Sequence, residues 1–227
     1  MNKPYSKVFE EERELTVMLM VDVSNSLNFG TQVMMKREMV TEIAATLAFA
    51  AIENNDKVGL LFFSDRIEKF IPPKKGRKHI LYLIRELLDF QPESNATDIS
   101  VPLEFLTRAV KKRCTAFLLS DFIDAHDYRN VLTIANSKHD IVAIRVYDRR
   151  MEELPDVGLM KLYDSETGQE MYVDTSSATV RNTHHKWFEE NTLRCKDYLT
   201  RSHVDSVSVR TDQDYVKALM GLFAKRN

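Results

Sequence analysis

The sequence predicts an α/β fold: a doubly wound, mostly parallel sheet with helices on both faces and a small hairpin insertion. Two observations predict it. Short apolar runs are continuous and not alternating, as in parallel strands that are buried on both faces. Segments with helical spacing lie between these runs, and such alternation is typical of a parallel sheet with right-handed crossovers. The four apolar runs are residues 15–21, 58–63, 116–119 and 141–146.

The predicted helices come from apolar residues that recur every three or four positions. The longest helix is expected from about residue 32 to residue 53, with Val40, Ile43 and Leu47 on one face. Shorter apolar stripes predict three further helices, around residues 80–88, 103–110 and 131–135. These helices lie between the predicted strands, as a doubly wound sheet requires.

Weaker patterns predict an edge strand and a hairpin. Residues 66–71 are expected to pair beside residues 58–63, because an edge strand tolerates charged side chains and the two prolines that follow. A turn signal at residues 164–168 separates two short runs, residues 159–163 and 170–173. This arrangement predicts a small hairpin.

The C-terminal part is predicted to form a helix, a strand and a second helix. A long polar helix is expected at residues 178–201 and a last strand at residues 204–209. The segment from Thr211 to Asp214 resembles a capping box that opens the final helix. The buried side of that helix is expected to carry Tyr215, Leu219 and Phe223.

Length and composition suit a single domain. The 227 residues, of which 44% are hydrophobic, are expected to form one domain over 1–227, with an N-terminal extension at 1–12 and a hairpin or loop insertion at 149–176. A formal net charge of −2 argues against a nucleic-acid binder that depends on phosphate contacts. No apolar run approaches the roughly 20 residues that span a bilayer, and no membrane insertion by this chain is expected.

The two cysteines predict a reducing environment. Cys114 and Cys195 are far apart in the chain and have no metal-ligand spacing, so both are expected to be small buried hydrophobic residues. A cytoplasmic location is therefore expected, with association to the inner membrane only through partners or an upstream segment. The pattern is compatible with any oligomeric state.

Polar side chains follow the apolar runs at one predicted edge of the sheet. Asp22 comes at the end of the first strand, and Ser24 and Ser26 follow it at alternate positions. Asp121 follows the third apolar run, and Thr97 lies in a polar loop between two helices. Ligands of open parallel sheets bind at the carboxyl ends of the strands. Two carboxylates and three hydroxyls are hard oxygen ligands that suit Mg²⁺ or Mn²⁺ and leave a position open for an anion.

Each of these five residues has a simpler explanation when it is taken alone. Asp22 could be a cap or turn residue, and Ser24 and Ser26 could make loop hydrogen bonds. Thr97 could cap the helix that follows it, and Asp121 could pair with a nearby lysine. The combination is more specific than its parts, because each residue lies at the appropriate end of its element.

The motif Asp22-x-Ser24-x-Ser26, followed by Thr97 and then by Asp121, resembles the metal-ion-dependent adhesion site of von Willebrand factor A-type domains. The sequence is more similar still to one bacterial branch, the family called domain of unknown function 58. That likeness extends from about residue 8 to the end of the chain and is carried by residues 9–15, 147–150, 154–158, 173–175 and 211–215. Ala96 departs from the glycine of many relatives, but this change removes no ligand.

The resemblance implies a protein-binding function and not an enzyme. In such domains the residues that match Asp22, Ser24, Ser26 and Thr97 surround the metal ion, and the match to Asp121 acts through water. A carboxylate from a partner protein takes the open position. The resemblance further implies that the protein acts together with a MoxR-type AAA+ ATPase in the assembly or maturation of protein complexes.

Two other functions are compatible with the same residues. One is a metal-dependent phosphohydrolase with Asp22 as nucleophile. Position 24, however, is a serine where such enzymes place an acid–base carboxylate, and no lysine is evidently placed to stabilise a phosphoryl group. The other is a structural subunit with a vestigial metal site. The phosphohydrolase predicts phosphatase turnover, and the vestigial site predicts no affinity for metal.

Overall fold

The computed structural model describes residues 14–30, 33–163 and 169–226. Its strands are β1 (Thr16–Asp22), β2 (Lys57–Phe63), β3 (Ile67–Lys74), β4 (Thr115–Ser120), β5 (Asp140–Tyr147), β6 (Leu159–Tyr163), β7 (Glu170–Asp174) and β8 (Asp205–Arg210). Six of them form one sheet in the order β3-β2-β1-β4-β5-β8. Every neighbouring pair in it is parallel except β2 with β3, which is antiparallel. The predicted mostly parallel sheet and its charged edge strand are confirmed, but the prediction that the strand ends before the two prolines was wrong. β3 continues through Pro72 and Pro73 to Lys74, because an edge strand tolerates residues that lack a backbone N–H.

The centre of the sheet is fully apolar around β1. Leu19 pairs in register with Leu60 on β2 and with Phe117 on β4, and all three side chains are buried. Gly59 lies beside Met18, where an added Cβ would come within 2.5 Å of the Met18 sulfur. Burial on both faces explains why these strands appear as continuous apolar runs in the sequence.

Helices cover both faces of the sheet. They are α1 (Lys36–Glu53), α2 (Arg77–Asp89), α3 (Ser100–Ala109), α4 (Arg129–Lys138), α5 (Arg149–Glu152), α6 (Ala178–Arg201) and α7 (Tyr215–Ala224). α1, α2 and α7 share one apolar cluster with Leu19 and Phe62, and α3, α4 and α6 share a second cluster with Met20 and Leu61. Successive residues of a strand point to opposite faces, so the two clusters are separate layers and the fold is doubly wound.

The helix α6 has the bounds predicted for the long polar helix. Its buried residues are Phe188, Cys195 and Leu199. Cys195 and Cys114 are both buried and both free thiols, as predicted. Among the helices of the described ranges, none is both long and apolar enough to cross a bilayer.

The predicted hairpin is present as the pair β6 and β7. These two strands are antiparallel, with Leu159 opposite Asp174 and Tyr163 opposite Glu170. The predicted turn at residues 164–168 lies outside the described residues. The predicted N-terminal extension at residues 1–12 lies outside them as well.

The start of α1 differs from the prediction. The apolar pattern suggested a start near residue 32, which lies outside the described residues, but the helix begins at Lys36. Glu38 Oε2 accepts a hydrogen bond of 2.8 Å from the backbone N–H of Met35 and so satisfies a donor at the helix N-terminus. Apolar periodicity does not report this local capping bond.

The final helix is capped by a different residue from the one predicted. Thr211 is buried, and its hydroxyl donates to Asp148 Oδ2 at 2.7 Å. Asp214 is the N-cap residue instead, and its carboxylate accepts from the backbone N–H groups of Val216 and Lys217. The capping-box assignment for Thr211 was therefore wrong, because a tertiary contact occupies its side chain.

Candidate metal centre

The loop after β1 brings three of the predicted ligands together. Asp22 is the last residue of β1, and its side chain is buried. Its Oδ1 accepts a 2.9 Å hydrogen bond from the backbone N–H of Ser24, which turns the chain sharply after the strand. The hydroxyl oxygens of Ser24 and Ser26 are 3.0 Å apart at the start of a short 3-10 helix (Asn25–Asn28). The buried side chain of Leu27 anchors this turn in the core.

The neighbouring strand β4 adds the second carboxylate to the same edge. β4 is parallel to β1 and directly beside it, so Asp121 emerges at the edge that also carries Asp22. Asp121 is buried, and its Oδ1 accepts from the backbone N–H of Ile123 at 3.1 Å. Ser120 donates its hydroxyl to Asp22 Oδ2 at 2.6 Å. The sequence analysis did not single out Ser120; the available signal was a serine that ends a buried strand.

Thr97 lies in a loop that is tied to this edge at several points. The backbone N–H of Asn25 donates to the carbonyl of Asn95 at 3.2 Å, which joins the loop to the turn after β1. On the other side, the backbone N–H of Ile99 donates to Asp124 Oδ2 at 2.8 Å. Thr97 itself is 4% exposed, and within the described residues its Oγ1 has no hydrogen-bond partner. A buried hydroxyl without a partner is costly, and a bound cation would satisfy it.

The surroundings of Asp22 strongly shift its pKa. Burial, and then the negative charge of Asp121, raise the pKa of Asp22 to about 7. The hydrogen bonds from Ser120 and Ser24 oppose this change in pKa but do not cancel it. A divalent cation between such groups favours their ionised forms. The all-oxygen set of two carboxylates and three hydroxyls therefore fits a hard divalent ion such as Mg²⁺ or Mn²⁺.

The raised pKa of Asp22 makes the stability of the metal-free protein depend on pH. The folded protein keeps its proton on Asp22 up to about pH 7, whereas an unfolded chain loses it near pH 4. Between about pH 4 and pH 7, folded molecules therefore bind more protons than unfolded molecules do. The contribution of Asp22 to stability falls as the pH rises through this range and is fully lost above about pH 7.

We expect this loss to be absent in Asp22→Asn. When the pH is raised from about 4 to about 8 in chelator, the free energy of unfolding of the variant should increase relative to that of wild type by at least about 1.4 kcal/mol, the equivalent of one pKa unit. Urea unfolding of both proteins at each pH measures this difference. A difference that is constant over this pH range would show that Asp22 is ionised in the metal-free fold.

Lys36 is a component of the site that the sequence analysis missed. It is the first residue of α1, it is 1% exposed, and its Nζ lies 2.7 Å from Asp121 Oδ2. The sequence left open whether Asp121 pairs with a lysine, and the structure shows this pair. No sequence pattern indicated that this lysine would be Lys36. Lysines are rarely buried without a charged partner, and the partner becomes visible only in the folded chain.

A second group of ligand-type residues lies beside the Thr97 loop. Ligand atoms of Asp98, Asp124 and His126 are all within 4.8 Å of one another. The buried Asp124 carboxylate accepts from the backbone N–H groups of Ile99 and His126 and lies 2.7 Å from His126 Nδ1. Its contacts give it a structural role, because they hold the segment that carries Thr97.

Comparison with known proteins assigns the family. The model of a family described as "Protein of unknown function DUF58" matches residues 1–193. The chain belongs to the DUF58 family. A DUF58 relative in Mycobacterium tuberculosis, the uncharacterized protein Rv1480, is 27% identical over 227 residues, which cover 98% of this chain and 71% of the relative.

Solved structures share the doubly wound α/β fold of this DUF58 domain. An aerotolerance-related membrane protein from Bacteroides fragilis superposes with a TM-score of 0.64 at 15% identity. The matched region covers 93% of this chain and 99% of the chain of that protein. The conserved hypothetical protein BatB from Bacteroides thetaiotaomicron gives a TM-score of 0.58, also at 15% identity, with coverages of 93% and 98%. At this identity the likeness establishes the fold alone.

Proposed function

We propose that this DUF58 domain is a divalent-cation-dependent protein-binding module. Asp22, Ser24, Ser26, Thr97 and Asp121 would hold Mg²⁺ or Mn²⁺, and a carboxylate of a partner protein would complete the site. The observation that carries the proposal is the buried Thr97 hydroxyl, which has no hydrogen-bond partner among the described residues. Its loop is tied to the turn that follows Asp22.

The proposed ligands would contribute to metal binding in different ways. Asp22 supplies the principal negative charge, and Ser24, Ser26 and Thr97 supply neutral oxygens. Asp121 Oδ2 accepts from the buried ammonium of Lys36, and that positive charge would oppose a cation bound to the same carboxylate, which favours a contribution through charge over a direct bond. When bound, the ion supplies a Lewis-acidic position that attracts an anionic oxygen from outside.

The geometry favours binding over catalysis. A phosphohydrolase would need an acid–base group beside its nucleophile, and Ser24 occupies that position. Lys36 brings positive charge to the site, but its ammonium is buried against Asp121 and not aimed at an incoming phosphoryl group. A vestigial site is disfavoured as well, because the Thr97 hydroxyl is buried and has no hydrogen-bond partner in the part of the chain that the structure describes.

We further propose a MoxR-type AAA+ ATPase as the partner and a cytoplasmic location, in the assembly or maturation of protein complexes. Support for the partner comes from the sequence resemblance, which includes the motif at residues 211–215. The buried free thiols of Cys114 and Cys195 support a reducing compartment.

The proposal is tested by titrating Mg²⁺ and Mn²⁺ into wild type and Asp22→Ala. We expect saturable binding by calorimetry in the wild type, with a rise in Tm, and neither effect in the variant. An ion that binds only the folded state stabilises it by about 2.7 kcal/mol at a hundred times its Kd. A purified MoxR-type ATPase should likewise bind wild type in Mg²⁺, but neither wild type in chelator nor Asp22→Ala in Mg²⁺.

Asp127→Ala is the matched control for this titration. Asp127 lies in the segment that follows β4 and pairs on the surface with Arg129, outside the proposed ligand set. We expect it to bind metal as wild type does. Equal metal binding by Asp22→Ala and wild type would contradict the proposal and direct attention to the group of Asp98, Asp124 and His126, which Asp98→Ala would then test.

A further inference from the structure

The inference concerns Lys36 and rests on the proposed metal-dependent function. Lys36 is held at both ends, through its backbone N–H and through its ammonium. Its backbone N–H donates to the carbonyl of Phe29 at 3.0 Å, and its Nζ lies 5.9 Å from the centre of the Phe29 ring. The same Nζ lies 2.7 Å from Asp121 Oδ2 and 3.2 Å from the sulfur of Met151. Because this ammonium is buried and held by these contacts, its positive charge is part of the site.

The charge balance of the site follows from these contacts. Lys36 compensates one of the two buried carboxylates, Asp121, and within the described ranges no second cation pairs with Asp22. A divalent cation therefore brings one more positive charge than the site can neutralise. Without Lys36, the two carboxylates and the divalent ion would balance. Buried net charge is strongly unfavourable, so this excess has a large effect on binding.

Other buried charges near Asp121 leave this balance unchanged. Arg145 donates its Nε to the backbone carbonyl of Asp121 at 3.2 Å and does not contact the carboxylate. Asp124, with the opposite charge, is buried in the loop that follows β4. Asp148 is buried as well, and its carboxylate accepts from the backbone N–H of Arg150 and from the hydroxyl of Thr211. Lys36 is the cation that contacts the Asp121 carboxylate, and its charge adds to that of a metal ion at the site.

We propose that Lys36 is a built-in counter-cation that makes metal binding and carboxylate binding depend on each other. The metal ion alone binds weakly, because it leaves the buried site positively charged. The carboxylate of a partner removes that charge, so the two ligands bind tightly only together. By linkage, each raises the affinity of the other by the same factor. The domain therefore holds its metal ion firmly only while it is bound to an acidic partner.

The test compares Mg²⁺ affinities of wild type, Lys36→Met and Lys36→Arg by calorimetry, with and without acetate at constant ionic strength. In wild type, acetate should tighten Mg²⁺ binding by about tenfold, within the usual range of coupling between sites. Lys36→Met, which removes the charge and keeps an unbranched chain, should bind Mg²⁺ alone about tenfold more tightly than wild type and lose most of the acetate effect. Lys36→Arg keeps the charge and should keep the acetate effect.

The variants also differ in stability, which gives a second readout. Lys36→Met leaves Asp121 unpaired beside Asp22, so its metal-free Tm should fall and its rise in Tm with Mg²⁺ should exceed that of wild type. Folding that occurs only with Mg²⁺ would be the same result in an extreme form. Lys36→Gln retains a hydrogen-bond donor for Asp121 without the charge, and it replaces Lys36→Met if that protein does not fold at all.

The outcomes separate this inference from the function on which it rests. If wild type binds Mg²⁺ and Asp22→Ala does not, but Lys36→Met has unchanged Mg²⁺ affinity and an unchanged acetate effect, then the role of Lys36 is refuted and the binding function stands. If neither wild type nor Lys36→Met binds Mg²⁺, with or without acetate, both proposals fail.

Discussion

Asp121→Ala is expected to lower the free energy of unfolding of the metal-free protein by roughly 3 kcal/mol, at the lower end of the range for breaking a buried ion pair. The substitution leaves the ammonium of Lys36 buried, with the Met151 sulfur as its remaining hydrogen-bond acceptor among the described residues. The loss is not larger, because removing Asp121 also relieves its repulsion of Asp22. Urea unfolding in chelator, followed by circular dichroism, measures this difference.

Two controls identify the cause of the loss. Asp127→Ala removes an aspartate on the surface after the same strand and should leave the stability almost unchanged. The double variant Lys36→Met/Asp121→Leu removes both charges and should be more stable than Asp121→Ala, since replacing a buried pair by apolar residues is often neutral. A loss below about 1 kcal/mol for Asp121→Ala would mean that Lys36 finds another acceptor or reaches solvent.

Leu19→Ala is expected to destabilise the domain by about 2–5 kcal/mol. Leu19 is fully buried at the centre of β1, in register with Leu60 and Phe117 on the two flanking strands. Truncating it leaves a cavity that the closely packed sheet cannot fill, so both the transfer energy and the cavity energy are lost. Chemical unfolding gives the change as a lower midpoint at an unchanged m value.

Leu193→Ala is the control for this core substitution. Leu193 is a leucine on α6 that is 65% exposed, and its truncation should change stability by no more than about 0.5 kcal/mol. The folded fraction of Leu19→Ala should retain wild-type affinity for Mg²⁺, because Leu19 lies in the middle of β1, three residues before Asp22, and is not one of the proposed ligands. Equal stabilities for the two variants would contradict the assignment of β1 as the central buried strand.

Thr211 and Lys36 show the same reason why the sequence did not predict the role of a side chain. Thr211 was assigned to a helix cap from its spacing to Asp214, but its hydroxyl is used by Asp148, which is distant in sequence. Lys36 was not recognised because its partner Asp121 lies on another strand. In both cases the sequence pattern was local, and the interaction that decided the side chain's role was not.

The sequence by itself determined the strands and the edge at which the candidate ligands lie. A strand buried on both faces must be continuously apolar, so the polar residue that ends such a run marks its carboxyl end. In a parallel sheet these ends share one edge, which is why Asp22 and Asp121 could be placed together without a structure. Only the tertiary structure decided the electrostatics of that edge: the burial of Lys36 against Asp121, the hydrogen bond from Ser120 and the unpartnered hydroxyl of Thr97. Burial and pairing depend on groups that are brought together by folding, and no local pattern encodes them.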